Sequence, residues 1–432
     1  MSKLDELINQ LCPDGIKYKT LEEVTKGVNI GINPRKFFKL NPNDATGFYV
    51  TVRELNGLQG VQKTDKTDLI NQDAVDIIQA RANIEIGDIL FSNTGTVGKM
   101  ALISEKVKNW GVNEGIYVIK PKNSIINSKF LYYYLNSNIA FIQYSKMFTG
   151  STLKHITQKA LLSIRVPVPP IEVQCEIVQI LDKFTKLEAE LEAELEARKK
   201  QYEYYRNKLL NFDGTANPCG CTHTHTHTHT HTHGCFKEQI EWMELGKIGC
   251  VRMCKRILKS QTNTETGVPF YKIGTFGKKA DAYISEKTYN EYKNKYKFPK
   301  KGDILISCSG TIGRIVVYNG EPAYFQDSNI VWLEHDESIV LNKYLKYCYL
   351  KNPWNISTGG TIARLYNDNI LKTKIPVPSL EEQERIVKIL DKFEKLCNDI
   401  SQGLPAEIEA RKKQYEYYRD KLLTFKELKV NE

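Results

Sequence analysis

Two glycine-rich segments have residue types that could hold a phosphate group. Residues 87–98 read GDILFSNTGTVG, and residues 302–313 read GDILISCSGTIG. A nucleotide-binding P-loop ends in Gly-Lys-Ser or Gly-Lys-Thr and opens a helix, and neither segment has that ending. A strand, a turn that glycine permits and a second strand explain both segments better. The hydroxyl groups that such turns would present to a ligand belong to Ser92, Thr94, Ser307 and Ser309.

A histidine-rich segment is the second candidate for chemistry. Residues 222–233 are six Thr-His pairs, with Cys219, Cys221 and Cys235 beside them. Imidazole and thiolate groups bind zinc or nickel, but strict alternation lacks the paired ligand spacing of a structural zinc site. We therefore predict no required metal ion. The alternative role is genetic: an uninterrupted CA dinucleotide repeat would encode Thr-His pairs, and slippage by one unit would end the product after the first half.

Motifs of the enzymes that act on DNA are absent from the sequence. A DNA adenine methyltransferase needs an Asn/Asp-Pro-Pro-Tyr/Phe tetrad, and the nearest matches are Asn41–Asn43 and Asn352–Trp354. No Walker A sequence occurs. The two histidines outside the repeat are His155 and His335. Isolated histidines such as these are more often surface or hydrogen-bonded residues than catalysts. The sequence predicts a binding protein and not an enzyme.

Positive charge is concentrated in two parts of the chain. The net charge is +10, with 21 basic and 15 acidic residues in 1–165 and 22 basic and 14 acidic residues in 236–378. Lys and Arg side chains that neutralise phosphates release counterions, so this distribution favours a nucleic-acid partner. A mildly basic surface without a polyanionic partner is the alternative.

Composition also bears on location. No run of 18 or more apolar residues occurs, so we predict no membrane span. Ten cysteines without a regular spacing suit free thiols in a reducing compartment. The predicted location is the cytoplasm.

The elements that position these residues occur twice. Residues 198–212 (RKKQYEYYRNKLLNF) and 411–425 (RKKQYEYYRDKLLTF) differ at two positions. Each copy follows, in the same order, a Gly-Asp-Ile-Leu, a Pro-Val-Pro and an Ile-Leu-Asp-Lys-Phe segment. The chain is therefore two homologous halves. Their predicted parts are globular regions at 1–168 and 236–378, long helices at 169–212 and 379–425, a linker at 213–235 and a tail at 426–432.

Apolar patterning predicts that both globular parts are mixed α/β (α+β), without the regular strand–helix alternation of a doubly wound fold. Helices are predicted at 3–11 and 128–144. Strands are predicted at Gly47–Val52, Asp88–Phe91, Gly115–Ile119, Val268–Ile273, Asp303–Ser307, Arg314–Tyr318 and Ile330–Leu333.

Each long helix has apolar residues three and four apart, which is typical of a packed seam. Antiparallel packing of the two helices would bury both stripes, and their Tyr and Phe residues would then be seam residues and not a platform for stacked bases. Pro405 lacks the N–H that a helix interior needs, so we predict a kink or a short break near 401–405.

Taken together, these segments resemble the specificity (S) subunit of type I restriction-modification systems over essentially the whole chain. The segments that carry the resemblance are the Pro-Val-Pro turns, Ile180–Phe184, Ile389–Phe393, the two RKKQYEYYR helices and GTIARLYNDN at 360–369. The resemblance implies two target-recognition domains, each of which reads one half of a bipartite double-stranded DNA site. It also implies two long antiparallel coiled-coil helices between them, in a pseudo-two-fold arrangement that sets the gap.

The same resemblance implies partner subunits. Two modification subunits would dock through the helical and adjoining regions, with S-adenosylmethionine, and would methylate adenine at N6. Restriction subunits, as a further option, would add translocation and cleavage driven by ATP and Mg²⁺. The chain itself is expected to hold no cofactor and no metal. The Thr-His linker departs from the family pattern.

Basic residues in loops are the predicted DNA contacts, because phosphate contacts position a protein on the duplex and base contacts in the major groove specify the sequence. Polar glycine loops at 149–155 and 358–364 each end in a basic residue. The predicted contacts are Arg35, Lys36, Arg53, Lys154 and His155 in the first half, and Arg252, Lys255, Arg256, Lys278, Lys279, Lys295, Lys297 and Arg364 in the second.

Two other functions stay open at this stage. The first half alone could pair through its helix as a half-length, dimerising DNA-binding module. Alternatively, the chain could be a coiled-coil scaffold without a role on DNA. The mass of the expressed fragment 1–212 would test the former, and failure to bind any duplex would favour the latter.

Overall fold

Two units of the chain each contain three sheets with a corresponding order of strands. Unit 1 consists of Met1–Glu192 and Glu407–Glu432, and unit 2 consists of Ala193–Ala406. The structure is a computed structural model. It describes residues 3–34, 37–106, 108–212, 240–356, 363–399 and 403–428. The Thr-His pairs and the predicted linker at 213–235 lie outside the described residues.

Unit 1 forms three small sheets. Its elements before the long helix are α1 (Lys3–Leu11), β1 (Tyr18–Thr20), α2 (Leu21–Val24), β2 (Thr25–Ile30), β3 (Gly47–Val50), β4 (Asp68–Ile70), α3 (Gln72–Ala82), β5 (Ile89–Ser92), β6 (Met100–Leu102), β7 (Trp110–Val112), β8 (Ile116–Pro121), α4 (Ser128–Leu135), α5 (Asn138–Ser145), α6 (Gln158–Leu162) and β9 (Arg165–Pro167). An antiparallel sheet has the order β2-β8-β5-β6. A second sheet has the order β4-β3-β7, with β3 and β7 parallel, and β1 pairs with β9.

Unit 2 repeats these three sheets, with β12 as an additional strand, after the helix α7 (Ile171–Leu209). Its elements are β10 (Glu241–Glu244), α8 (Leu245–Ile248), β11 (Gly249–Met253), β12 (Thr262–Asn263), β13 (Val268–Tyr271), β14 (Tyr283–Ile284), α9 (Glu286–Lys295), β15 (Ile304–Ser307), β16 (Ile315–Val317), β17 (Tyr324–Phe325), β18 (Ile330–His335), α10 (Asn342–Leu350), α11 (Asn367–Leu371) and β19 (Lys374–Val377). The sheet orders are β11-β18-β15-β16, β12-β14-β13-β17 and β10-β19, and β13 and β17 are parallel. The fold is therefore a duplicated α+β arrangement.

The strands that begin in the repeated Gly-Asp-Ile-Leu segments have three successive apolar residues because they are buried on both faces. Alternate residues of a strand point to opposite faces of its sheet. In β5, Ile89 and Phe91 therefore enter one core of unit 1 while Leu90 enters the other. In β15, Ile306 and Leu305 divide in the same way between the two cores of unit 2.

The second long helix is interrupted. It consists of α12 (Leu380–Asn398) and α13 (Leu404–Leu422), as Pro405 predicted. Proline is tolerated in the first turn of α13, where no earlier helical carbonyl needs its N–H. Gly403 precedes it, and a Cβ at this position would lie 2.7 Å from the carbonyl oxygen of Lys395. The end of α12 thus requires a glycine at this close approach.

In unit 1, α7 and α13 pack antiparallel. Phe184 stacks on Tyr418 with ring centroids 5.7 Å apart. One turn further along α7, Glu188 lies 3.4 Å from the ammonium group of Lys412, which is earlier in α13. Because the contacts advance along one helix and go back along the other, the two helices run in opposite directions, as predicted.

In unit 2, the remainder of α7 packs against α12 in the same manner. Tyr205 stacks on Phe393 at 5.5 Å, and Tyr202, three residues earlier, joins Cys397 in the same core. The aromatic residues predicted for the seam, such as Phe184 and Tyr205, contact residues of the facing helix.

The structure has two helices where the sequence predicts one. The structure divides the segment at 128–144 into α4 and α5. Ser137, which is fully buried, ends the first helix by donating to the carbonyl of Tyr134 and starts the second by accepting from the N–H of Ala140. Single hydroxyl caps of this kind compete with helix continuation. Among the described helices, none is long and apolar enough to cross a membrane.

Candidate nucleic-acid interface

A buried serine closes the turn between β5 and β6 in unit 1. The Ser92 hydroxyl donates to the carbonyl of Thr96 and accepts from the N–H of Lys99 at 2.8 Å. Gly95 and Gly98 have φ of 75° and 92°, a region that favours glycine. The predicted hairpin is confirmed by the antiparallel pairing of the strands. Ser92 is fully buried and is not presented to a ligand.

Unit 2 has the same turn between β15 and β16. The Ser307 hydroxyl donates to the carbonyl of Thr311 at 2.5 Å and accepts from the N–H of Arg314 at 3.0 Å. Gly310 and Gly313 have φ of 65° and 79°. The two hairpin turns therefore have the same backbone arrangement, and a serine closes each of them. Other positions of the turns have different side chains.

In unit 1 the predicted glycine loop meets this turn. The N–H of Gly95 donates to the carbonyl of Lys154 at 2.9 Å, and the Thr94 hydroxyl lies 2.9 Å from Nδ1 of His155. Lys154 is exposed, with its ammonium group 5.9 Å from the Phe148 ring centroid. The structure therefore brings Lys154 and His155 together beside the hairpin turn.

In unit 2 the corresponding loop also reaches the turn. The N–H of Leu365 donates to the carbonyl of Cys308 at 2.9 Å, and the Arg364 guanidinium donates to the carbonyl of Ser328 at 2.9 Å. Burial raises the pKa of the Cys308 thiol to about 11, an effect that the positive charge of Arg364 opposes. Arg364 is half-buried and lies beside the turn, as the exposed Lys154 does in unit 1. Residues 357–362 of this loop lie outside the described residues.

Two basic residues that the sequence reasoning missed hold neighbouring loops on the hairpins. The Lys99 ammonium donates to the carbonyl of Val52 at 2.9 Å, next to Arg53. The Arg314 guanidinium donates to the carbonyl of Phe276 at 3.0 Å, two residues before Lys278. Both residues directly follow the repeated Gly-Thr-Val/Ile-Gly segment, so a comparison of the two copies extended by one position would have found them.

Two of the predicted contacts in unit 2 share a carboxylate. Arg252 lies 2.6 Å and Lys297 lies 2.8 Å from the two oxygens of Glu334. Hydrogen bonds from Lys297 and from Arg252 lower the pKa of Glu334 below its ordinary value. The three side chains form a fixed ionic group with one net positive charge.

Next to Lys297, an exposed aromatic ring gathers two more predicted contacts. The ammonium groups of Lys255 and Lys295 lie 5.2 and 5.8 Å from the ring centroid of Tyr296. Cations over a ring face are attracted by its quadrupole. Residues 252, 255, 295 and 297, with Tyr296 and Glu334, form a group that we call the basic cluster of unit 2.

The other predicted contacts are dispersed. Arg53 pairs with Asp68 at 3.2 Å, so part of its charge is already neutralised. Arg256, Lys278 and Lys279 are exposed. Arg35 and Lys36 lie outside the described residues. Within the residues that the structure describes, no three His, Cys, Asp or Glu side chains converge as a metal ion would need.

A family model described as the type I restriction modification DNA specificity domain matches residues 13–197 and 237–410. The chain belongs to this family. It is a DNA specificity subunit of the type I restriction-modification class, and its two matched regions correspond to its two repeated halves.

Relatives support the same assignment. A predicted type I restriction enzyme specificity subunit of Haemophilus influenzae is 51% identical over 326 residues, which are 74% of this chain and 77% of that protein. The EcoR124I/EcoR124II specificity subunit of Escherichia coli is 32% identical over 69% of this chain and 70% of its own length. A solved chain of a type I restriction-modification system aligns over 95% of this chain and 98% of its own length, with a TM-score of 0.59 and 20% identity, and shares the fold.

Proposed function

We propose that each unit binds one half of a bipartite double-stranded DNA site, at the surface where its hairpin turn meets its basic loop. The observation that carries this proposal is the repetition of one framework with different side chains. Unit 1 presents Thr94, Lys154 and His155 at the junction, whereas unit 2 presents Ser309 and Arg364. Equal frameworks with unequal side chains suit two different half-sites.

The remaining predicted contacts serve chiefly as phosphate contacts in this proposal. In unit 2, positive charges face the phosphate backbone of the DNA on either side of the bases that are read. They belong to the basic cluster and to the exposed Arg256, Lys278 and Lys279. Arg35, Lys36 and Arg53 serve unit 1 in the same way. Such contacts set affinity and its dependence on salt, while the junction residues set the sequence that is preferred.

Catalysis belongs to other subunits in this proposal. Two modification subunits bind the chain, hold S-adenosylmethionine and methylate adenine at N6 within the site. Where restriction subunits join, they supply ATP- and Mg²⁺-dependent translocation and cleavage. The specificity chain itself contributes no reacting group and holds no cofactor.

The first test is to co-express the chain with the modification subunit encoded beside it and to map methylated adenines across the host genome. A bipartite motif with a constant gap is the expected result. Co-purification without methylation would point to an inactive partner or a missing subunit. Absence of both co-purification and methylation would refute the proposal.

The second test assigns the halves of the motif. Arg364→Ala should lower affinity for the wild-type site by about 10- to 100-fold and relax the preference in one half only, because a good base contact discriminates by about 1–3 kcal/mol. Lys343→Ala is the matched control, since Lys343 is an exposed cation of the same unit paired with Asp391. Unchanged affinity in Arg364→Ala would show that this loop does not contact DNA.

A further inference from the structure

A fully buried glutamine joins each long helix to the globular part of its unit. Gln174 in α7 and Gln383 in α12 are each the fourth residue of their helix, and both have 0% exposure. Burying an amide group without hydrogen bonds is unfavourable, so a glutamine here needs partners for both its oxygen and its nitrogen. An apolar side chain would fill the same space without that requirement. Packing alone therefore does not explain a glutamine at this position.

In unit 1 the Gln174 amide group bonds to three backbone groups outside the helix. Its Nε2 donates to the carbonyls of Ile125 at 3.1 Å and Pro169 at 2.7 Å, and its Oε1 accepts from the N–H of Asn127 at 2.7 Å. Ile125 and Asn127 lie just before α4, and Pro169 lies in the turn before α7. One side chain thus fixes the start of the long helix to the start of α4.

Gln383 makes the same three bonds in unit 2. Its Nε2 donates to the carbonyls of Ile339 and Pro378, both at 2.9 Å, and its Oε1 accepts from the N–H of Leu341 at 2.9 Å. These partners occupy the same places relative to α10 and α12 as those of unit 1 occupy relative to α4 and α7. Because all the partners are backbone groups, the arrangement does not depend on the side chains of the globular part.

A carboxylate eight residues further along each long helix makes a second attachment. The Tyr133 hydroxyl of α4 donates to Asp182 at 2.6 Å, and the Tyr347 hydroxyl of α10 donates to Asp391 at 2.5 Å. Burial raises the pKa of both tyrosines, so each hydroxyl keeps the proton that it donates. The two carboxylates belong to the repeated Ile-Leu-Asp-Lys-Phe segments.

Lysines also reach these carboxylates, but we expect them to add little. Lys343 lies 3.0 Å from Asp391 with 72% of its side chain exposed, and exposed ion pairs contribute little to stability. The glutamine and the tyrosine of each unit are buried instead. We call the glutamine and the tyrosine–aspartate pair of each unit its helix clamp. The clamp of unit 1 is Gln174, Tyr133 and Asp182, and the clamp of unit 2 is Gln383, Tyr347 and Asp391.

Two polar attachments restrict a helix in ways that apolar packing does not. Eight residues of α-helix span about 12 Å, so each clamp holds its helix at two separated points. The hydrophobic effect has no preferred direction, whereas a buried polar group with all its hydrogen bonds favours a single arrangement. Each globular part is therefore held at one position along its long helix and at one rotation about it.

We propose that the helix clamps are positioning residues that keep the gap of the bipartite site constant. This inference rests on the proposed function above. Each added base pair moves a half-site by about 3.4 Å along the duplex and turns it by about 35°. A recognition surface that could slide or rotate on its helix by such amounts would accept sites with a longer or a shorter gap. The clamps oppose both movements.

The test measures methylation of synthetic duplexes by the full-length chain in complex with the modification subunit. The duplexes contain the motif found by methylation mapping, with the gap unchanged, one base pair shorter or one base pair longer. The wild-type complex should prefer the unchanged gap. Gln174→Met with Asp182→Ala, and Gln383→Met with Asp391→Ala, should each raise the relative rate on the altered gaps at least about tenfold, because the hydrogen bonds that oppose the shift are removed.

Conservative variants test the hydrogen bonds themselves. Asp182→Asn with Asp391→Asn keeps an oxygen that accepts from each tyrosine and should retain the wild-type preference for the gap. Tyr133→Phe and Tyr347→Phe each remove one hydroxyl and no more, so they provide the same comparison if a double variant fails to fold. Each should raise the relative rate on the altered gaps by about two- to tenfold, the equivalent of one hydrogen bond.

Controls separate the clamps from general stability. Ile78→Ala in unit 1 and Ile284→Ala in unit 2 remove fully buried side chains from cores that contain, among the described residues, none from a long helix. Both should lower the melting temperature, as the clamp variants do, and yet keep the wild-type preference for the gap. Lys343→Ala should also keep it, since this lysine is not part of the clamp.

The outcomes that refute the two proposals differ. Folded clamp variants with the wild-type preference for the gap would overturn the positioning role and leave the proposed function intact. Equal relaxation of the gap by Ile78→Ala or Ile284→Ala would attribute the effect to lost stability and overturn the inference as well. A wild-type complex that methylates no bipartite motif with a constant gap overturns the proposed function itself.

Discussion

Two glycines of one hairpin allow the cost of a crowded turn to be separated from the cost of backbone strain. Gly302 lies just before β15 and Gly313 lies in the turn between β15 and β16, with φ of 98° and 79°. A Cβ at Gly302 would meet no atom within 4 Å, whereas a Cβ at Gly313 would lie 2.6 Å from Oδ1 of Asn352 and 2.8 Å from the Trp354 ring. Gly302→Ala therefore adds backbone strain alone, whereas Gly313→Ala adds backbone strain and steric overlap with Asn352 and Trp354.

The expected magnitudes follow from these contacts. A left-handed backbone costs a residue with a Cβ about 1–2 kcal/mol, so Gly302→Ala should lose about that much unfolding free energy. Overpacking adds about 1–3 kcal/mol in Gly313→Ala, because Trp354 is buried against Tyr349 and has little room to move. For a unit of this size, about 1 kcal/mol lowers the melting temperature by about 2–4 °C. Gly313→Ala should thus melt about 2–12 °C below Gly302→Ala.

The assay is thermal unfolding followed by circular dichroism, with methylation mapping of the same variants. Gly313→Ala should also reduce methylation at the genomic motif more than Gly302→Ala does, because it displaces the turn that meets the basic loop. Gly98→Ala should act in the same direction in unit 1, since its Cβ would lie 2.5 Å from the Tyr144 hydroxyl. Equal melting temperatures for Gly302→Ala and Gly313→Ala would refute the claim that the turn is closely packed.

Three further predictions concern unit 2. Tyr347→Phe should cost about 1–2 kcal/mol of unfolding free energy in a urea titration, because the buried hydroxyl donates to Asp391 at 2.5 Å; an unchanged midpoint would contradict this. Lys255→Ala with Lys295→Ala should reduce the slope of log affinity against log salt by about 2 if each contacts one phosphate, and an unchanged slope would remove the basic cluster from the interface. Because its cationic partners lower the pKa of Glu334, their stabilising effect is complete above about pH 4.3 and is lost as pH falls through the lowered value. Between about pH 5 and pH 3, the free energy of unfolding of Glu334→Gln should therefore fall less than that of the wild type. Equal decreases in the two proteins would show that the ion pairs do not stabilise the fold.

Local features of the sequence predicted the local structure. Glycines between apolar runs predicted both hairpins, and the spacing of apolar residues predicted the helical seam. Pro405 marked the interruption of the second long helix. Each of these features depends on residues that are close in sequence, so one segment suffices to infer it.

Features that depend on distant residues could not be inferred. The parallel pairing of β3 with β7 joins strands about sixty residues apart. Arg252 meets Glu334 because β11 and β18 pair in one register, in which Arg252 lies opposite Trp332. Sequence reasoning identified Arg252 and Lys297 as cations but could not show that one carboxylate holds both. It likewise could not place His155 beside Thr94.

The duplicated helix segments give the half-length alternative a structural basis. Residues 411–425 supply Tyr415, Leu422, Leu423 and Phe425 to a core of unit 1. Residues 198–212 have the same side chains at every one of those positions. A chain that ends at residue 212 therefore carries a segment that could complete unit 1. This segment is the end of α7, and the first part of α7 already belongs to the same unit. Two such chains can each supply this segment to the other.

We therefore expect the fragment 1–212 to form a dimer and the fragment 1–192, which lacks the segment, to remain a monomer. Light scattering after size-exclusion chromatography measures both masses directly. In the dimer, Tyr202→Ala should favour dissociation, because this side chain would take the half-buried position of Tyr415 against the core of unit 1. A monomeric 1–212 that remains folded would show that the two copies are not interchangeable, despite their nearly identical sequences. A dimer would mean that a frame shift in the Thr-His tract yields a symmetrical DNA-binding protein with two copies of the first recognition surface.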